Sequence, residues 1–387
     1  RYFADHRDEL DGNLAFIAEC DEEDGSRGII SGLKILNEWK QEHNLDYVLA
    51  INADYSTPYY HGDPNRYIYL GTIGKLLPTF FIAGKESHVG QAFSAFDPNY
   101  MLASITDRIT LNSEFSDTAN GETTVPPISL KQEDLKEMYT VQTSLYAHGF
   151  YNFFTHGMTP KDVLDLLKDM AVDVADELVV KINDDYKVWC EKANFPFTEI
   201  DWKVNVLTWD EYEAICREKF DDYDSYMENF KAKLHRENPD MDLRYYSLAV
   251  VREAYEHFRA VPAPAVFVYY SSIYSQNIEI KKTNPEHAKV VDDLYKAVEV
   301  VQEVCEDPIK VKYFFPYIAD SSFVYIPEDR EGINAFKDNM PAWGEKFVHP
   351  IEDMEAISMP VVNIGTYGKD GHMNTERVHK EYTWEIL

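Results

Sequence analysis

No run of about 18 apolar residues occurs in this 387-residue chain, so no segment has the character of a transmembrane helix and no membrane partner is expected. Cysteine is scarce too. Cys20, Cys190, Cys216 and Cys305 lie far apart, with no C-x-x-C pair. Such thiols fit a reducing compartment, so a cytoplasmic location is expected, and they exclude a disulfide-stapled scaffold. Positive charge is the third scarcity. The chain carries 37 Lys and Arg against 68 Asp and Glu, a formal net charge of −31, with no Lys/Arg stripe to offset it locally. That surface repels phosphate backbones, which argues against nucleic acid as a partner. No signal-peptide pattern precedes the first apolar run. The opening Arg1-Tyr2-Phe3-Ala4-Asp5-His6 reads as the tail of a helix already under way, which fits either a processed terminus or a fragment.

What the chain does have is aromatic mass: 27 Tyr and 21 Phe within 45% apolar residues, enough for two domains and a sizeable core. The order of patterns predicts an α/β fold. Asn13 to Cys20 reads as a short buried strand and Asp21-Glu22-Glu23-Asp24-Gly25 as an acidic turn. Ser26 then caps a helix to about Glu42, with Ile29, Ile30, Leu33, Leu36 and Trp39 on one face. A second strand over Asp46 to Ala53 completes a parallel strand–helix–strand unit. From about Leu76 the texture changes. A strand over Phe80 to Gly84 and helices over Asp97 to Leu111, from Thr159, from Thr208 and over Asp242 to Arg259 are expected, those from Thr159 and Thr208 opened by recognisable caps. After Ala260-Val261-Pro262-Ala263-Pro264 the α/β texture returns, with strands over Ala265 to Tyr270, Val311 to Phe315 and Pro360 to Ile364 and a helix over Pro285 to Glu306. The expected organisation is a discontinuous α/β domain, residues 1–75 plus 265–387, interrupted by an inserted α+β domain, residues 76–264.

Several residues are candidates for chemistry. Glu22 and Glu23 stand where a strand runs into a helix, where α/β folds place their sites. One glutamate of such a pair can bind a metal while the other takes a proton from metal-bound water; the alternative is an acidic first turn stabilised by the helix dipole. Asp54 closes the next strand, one βα unit later, and would stand beside that turn or form an Asx turn before Ser56. His372 follows Asn363-Ile364-Gly365 in a glycine-rich loop, with Glu376 at helical spacing, and reads as a metal ligand or a surface histidine. His88, between Gly84 and Gly90, would donate to a substrate oxygen. Lys369, Asp370 and Arg377 near His372 would bind a substrate carboxylate or orient ligands, or simply carry surface charge at a helix start.

Asp21-Glu22-Glu23 before a helix, Asp54 at the next strand end, Gly84-Lys85-Glu86-Ser87-His88-Val89-Gly90, and Gly368 to His372 with Glu376 resemble, in that order, the co-catalytic zinc amidohydrolase family of aminoacylase, acetylornithine deacetylase, succinyl-diaminopimelate desuccinylase and carnosinase. Within it the RocB-like arginine-utilisation proteins are the subgroup indicated by Tyr69-Leu70-Gly71-Thr72-Ile73-Gly74-Lys75, Asp134-Leu135-Lys136-Glu137, Val141-Gln142-Thr143 and Asp320-Ser321-Ser322-Phe323. The resemblance implies a phosphorylase/hydrolase-like zinc-peptidase catalytic domain with a mostly parallel sheet, and a lid as the inserted domain. It implies Glu22 as general base, Glu23, Asp54 and His372 as metal ligands, and His88 as a lid histidine that serves a partner's site. Two zinc ions, or cobalt or manganese, would serve hydrolysis of an amide in an N-acyl amino acid or short peptide, in arginine or amino-acid catabolism. A homodimer through the lid is one implication; an enlarged lid that has lost that contact is the alternative.

The sequence also departs from the family pattern. A His-x-Asp motif and a metal-bridging Asp belong well upstream of the glutamate pair, and only 21 residues precede Glu22. His6-Arg7-Asp8 and His61-Gly62-Asp63 spell the motif in the wrong places. The chain therefore reads as the central and C-terminal part of such a protein, without its N-terminal segment. The rival reading is a binding or regulatory relative that keeps the fold with an incomplete metal site.

Overall fold

A computed structural model describes residues 5–9, 11–326 and 330–386, so residues 1–4 of the helix tail expected over Arg1 to His6 lie outside the described residues. In chain order its main elements are α1 (Arg27–His43), β1 (Ala50–Asn52), β2 (Arg66–Tyr69), β3 (Gly74–Leu76), β4 (Pro78–Ala83), α2 (Pro98–Ile109), β5 (Ile128–Asp134), β6 (Tyr146–Thr155) and α3 (Pro160–Ala193). There follow β7 (Asn205–Thr208), α4 (Trp209–Lys219), α5 (Tyr223–Glu237), α6 (Leu243–Phe258), β8 (Ala265–Tyr270), α7 (Pro285–Gln302), β9 (Ile309–Lys312), α8 (Arg330–Asp338), α9 (Ile351–Ile357) and β10 (Val361–Asn363).

Two sheets organise these elements. The first has the order β1-β10-β2-β9. Its outer pairs, β1 with β10 and β2 with β9, are parallel, and the central pair is antiparallel. Helix α1 buries Ile29, Leu33 and Leu36 against this body, packing with Met354 and Ile357 of α9. Lys40 Nζ donates to the Ala356 carbonyl at 2.7 Å, fixing the two helices side by side. The second sheet runs β7-β8-β4-β6, with β3 continuing along the far end of β6 and β5 also pairing with β6. Strands β4 and β8 are buried at every position, as expected for strands covered on both faces. Helices α2, α3, α4 and α6 contribute to the cluster that covers them.

Local signals explain where several helices start. Thr159 and Asp162 form a reciprocal capping box with Pro160 at the first turn of α3. Thr208 and Glu211 do the same for α4. Asp97 and Asp242 accept backbone N–H groups two residues on, at the starts of α2 and α6.

Two expectations are corrected. Asn13 to Cys20 is not a buried strand: the segment is irregular and exposed, with Phe16 89% exposed. A strand must satisfy its amides on a neighbour, and β1, at the edge of the first sheet, pairs only with β10 among the described residues. The boundary expected at 265 also moves. Strand β8 lies inside the second sheet, antiparallel to β4 and parallel to β7, so Ala265 to Tyr270 belongs with that sheet and not with the first. The chain crosses between the bodies in two segments running side by side, where the Lys75 N–H donates to the Ser275 carbonyl at 2.8 Å and the Ser271 N–H to that of Leu77 at 3.3 Å.

Candidate active site

The two crossings floor a cleft of about 910 Å³ lined from both bodies. One wall carries Glu22, Glu23, Asp54 and His372, with Arg27; the other carries Lys75, Arg244 and Lys346, with Asp240 and Asp242.

The acidic wall is built by backbone geometry. Asp21 takes a left-handed conformation (φ 63°), and Glu22–Asp24 form one 3-10 turn leading into α1. The Ser26 N–H donates to the Asp21 carbonyl at 3.0 Å, which ties the turn to the helix. Negative charge at this point is favoured by the unpaired amides of the helix start. Asp54 follows β1, whose parallel register with β10 sets Asn52 opposite Asn363. The Asn363 side-chain oxygen accepts from Asn52 (2.8 Å) and from the Asp54 N–H (3.2 Å). Gly365 permits this proximity: a Cβ there would lie 1.7 Å from the Asp54 carbonyl oxygen. The Tyr55 hydroxyl then reaches the carbonyls of Lys369 (2.9 Å) and Arg377 (3.0 Å), linking the end of β1 to the loop that carries His372.

That loop is a hairpin, Gly368–Lys369 paired with Arg377–Val378, and not the helix start expected for Glu376. The Glu376 carboxylate instead accepts the His372 N–H at 3.1 Å. His372 is left-handed at φ 63°, and its Nε2 lies 3.3 Å from Glu23 Oε1. Asp370 and Arg377 pair with each other across the hairpin. With Lys369 they lie behind His372 and outside the cleft lining. His88 also lies outside this cleft, where its Nδ1 accepts the Gly90 N–H at 3.0 Å. It pairs with Gln142, bringing together two of the motifs that carried the resemblance.

The electrostatics are dominated by crowded carboxylates. Burial first, then the charges of Asp320, Glu23 and Asp54, push the Glu22 carboxyl up to about 7, while His372 opposes the shift. Glu19 is likewise raised to about 7, by burial and by Asp320. Asp54 is raised by burial, against the N–H of Tyr55 that donates to its Oδ1 at 2.6 Å. Behind them Asp320 is 5% exposed, and neither carboxylate oxygen has a hydrogen-bond partner of normal geometry, although the Ser26 hydroxyl and the Glu19 carboxyl lie beside it.

Such crowding is what a bound cation relieves. Carboxylate and imidazole are donors suited to a divalent ion, and Glu23, Asp54 and His372 together offer enough for one ion but not for two. Among the described residues no three His, Cys, Asp or Glu side chains are gathered closely enough to hold a metal; the assembled part is the Glu23–His372 pair. Four residues in or behind the cleft were not assigned from sequence. Lys75 and Asp320 lay in quoted motifs without a role, while Glu19 and Arg244 lay only within an expected strand and an expected helix.

No family model matches the chain. Protein RocB of Bacillus subtilis (strain 168) is 34% identical over 387 residues, which is all of this chain and 67% of RocB. Uncharacterized protein YqjN of the same organism is 28% identical over 383 residues, 98% of this chain and 67% of YqjN. Among solved structures, aminopeptidase PepT from Bacillus cereus superposes with a TM-score of 0.40 at 10% identity, over 93% of this chain and 58% of its own. The YxeP protein of Bacillus subtilis, a dinuclear metal-binding peptidase of the M20 family, gives 0.41 at 10% identity, over 98% and 64%. The chain thus spans about two thirds of both curated relatives and less than two thirds of either solved structure.

Proposed function

This chain belongs to the RocB family, and from that premise we propose that its cleft is the catalytic site of a metal-dependent hydrolase cleaving an amide in an N-acyl amino acid or short peptide. One observation carries the proposal. Glu22, raised to about 7, stands on the same wall as Asp54 and the Glu23–His372 pair, at the mouth of a cleft large enough for a small substrate.

In this reading Glu22 takes a proton from water at neutral pH and returns it to the leaving nitrogen. Glu23, Asp54 and His372 hold the metal side of the site, and the Tyr55 hydroxyl and Glu376 keep the His372 hairpin in place. A divalent cation bound there supplies Lewis acidity; zinc is the first candidate, with cobalt or manganese also suited to these donors. The inserted body acts as a lid that excludes water, and His88 serves the cleft of a second copy across a lid-mediated dimer. We place the protein in the cytoplasm, in keeping with four unpaired thiols, and its substrate in amino-acid catabolism, with arginine derivatives first. A binding relative without turnover is the second reading, favoured by the absence of any three closely gathered donors among the described residues.

The test is hydrolysis of an N-acyl amino-acid panel by the native full-length protein, before and after chelation. Turnover that vanishes with the chelator and returns with zinc, cobalt or manganese is the expected result. No turnover on any substrate, with any of the three metals, leaves the binding reading in its place.

A further inference from the structure

A second cavity, of about 230 Å³, opens between α4, α5 and the segment that leaves α8. Trp343 lines this cavity and Lys346 lines the cleft, so the turn between them separates the two spaces. Trp209, Met227 and Met340 make its apolar surface, all three almost fully buried. At its rim Glu228, Lys337 and Asp338 are exposed to solvent, which screens their charges.

Two opposite charges lie deeper. Lys231 of α5 is half-buried, with its backbone pinned by the Tyr246 hydroxyl, which donates to its carbonyl at 2.9 Å. The Lys231 ammonium makes one long hydrogen bond, to the Trp343 carbonyl at 3.5 Å. Burial, aided by Arg217, depresses that ammonium against the charges of Glu213, Glu345 and Glu228. Glu213 of α4 keeps 16% of its side chain exposed. The Tyr223 hydroxyl donates to its Oε1 at 3.1 Å, and Arg217 stands 3.3 Å from its Oε2. Arg217 is shared, however, with Asp224 at 2.8 Å, and burial still raises the Glu213 carboxyl. No ion pair among the described residues joins Glu213 to Lys231. Each therefore keeps room for a further partner, in a place short of water.

We propose that this cavity is a second ligand site, for a free α-amino acid, whose ammonium meets Glu213 and whose carboxylate meets Lys231. A zwitterion supplies both counter-charges at once and leaves the net charge of the cavity unchanged. A simple anion would also face Glu213, Asp224 and Glu228, and a simple cation would face Lys231 and Arg217. The volume suits one small ligand, whose side chain would lie against the indoles and the two methionines. The site stands apart from the hydrolase reading, since occupying it needs neither metal nor turnover.

The test is calorimetric titration of the native full-length protein. The probes are alanine and leucine, their primary amides, and the acids that lack the amino group, propionate and 4-methylpentanoate. At least one of the two amino acids is expected to bind, with its amide and its deaminated acid each weaker by about tenfold or more, the loss of one charge-assisted contact. Lys231→Met should weaken the amino acid by a similar factor at an unaltered melting temperature, and Lys231→Arg should keep most of the affinity. Should Lys231→Met melt early, Glu213→Gln carries the same test with the same expected loss. An amide or a deaminated acid that binds as tightly as the amino acid overturns the proposal. So does an amino-acid affinity unchanged by these substitutions, which would place the ligand elsewhere, the cleft included. Absence of binding by both amino acids up to about 10 mM overturns it as well.

Discussion

Replacing Glu22 with glutamine is expected to lower kcat by about 10²- to 10⁴-fold, the contribution of a positioned general base, while the bound metal stays. Glutamine keeps the shape and loses only the ability to take a proton. The residues offered to the metal are Glu23, Asp54 and His372, so the ion has no reason to leave. The electrostatics give the variant a second signature. In the wild type, burial together with Asp320, Glu23 and Asp54 holds the Glu22 carboxyl up to about 7. A carboxyl raised in the folded state adds stability at pH below its unfolded value, and that contribution is lost as pH rises through about 7. The metal-free wild type is therefore less stable at pH 8 than at pH 5 on this account, and Glu22→Gln should narrow the difference. Activity within about threefold of wild type would remove Glu22 from the proton-transfer role.

The second large effect is on stability. Phe267 lies at the middle of β8 with no exposed surface, and its ring sits 4.8 Å from that of Tyr212, 5.4 Å from Tyr255 and 5.9 Å from Phe81. It joins the second sheet to α4 and α6. Phe267→Ala should cost about 3–5 kcal/mol, the transfer term plus the cavity left among rigid rings. The melting temperature should fall on the order of 10 °C. Val180, 61% exposed on α3, is the comparison: Val180→Ala should stay within about 0.5 kcal/mol. A Phe267 variant as stable as the Val180 one would mean that the core does not pack around β8 as described.

Phe267 also shows where the sequence was legible. A run of six apolar residues after a proline-rich turn announced β8, and the capping boxes at Thr159 and Thr208 announced α3 and α4. Such signals are local, so one chain is enough to read them. Sheet membership is not local. The same apolar run suits either body, and only its pairing with β4 and β7 assigns it to the second. Asn13 to Cys20 failed for the related reason that apolar character cannot supply a strand with a neighbour. β6 and the helix α5 went unread, since the mostly buried β6 shows no polar alternation and α5 buries only Tyr223 and Met227, so neither gives a clean period.

The site divides the same way. Glu22, Glu23, Asp54 and His372 were picked out one at a time beside turns and strand ends, and the fold brings them to one wall. Lys75 sat in a quoted motif yet had no role, because a lysine after Thr-Ile-Gly shows nothing of the cleft it faces. Asp320 likewise became notable only once it proved to be buried beside Glu19 and Glu22, with no hydrogen-bond partner of normal geometry. The His372 loop was expected to enter a helix. It turns back as a hairpin instead, held by the Asp370–Arg377 pair and by Tyr55.

The most direct test of the central claim is the position of bound metal in the native full-length protein, read from anomalous scattering at the zinc edge in crystals grown with zinc. The account expects a peak contacted by Glu23, Asp54 and His372 on the cleft wall, lost in His372→Ala. No peak at that wall, or one that persists unchanged without His372, would contradict the metal-dependent site.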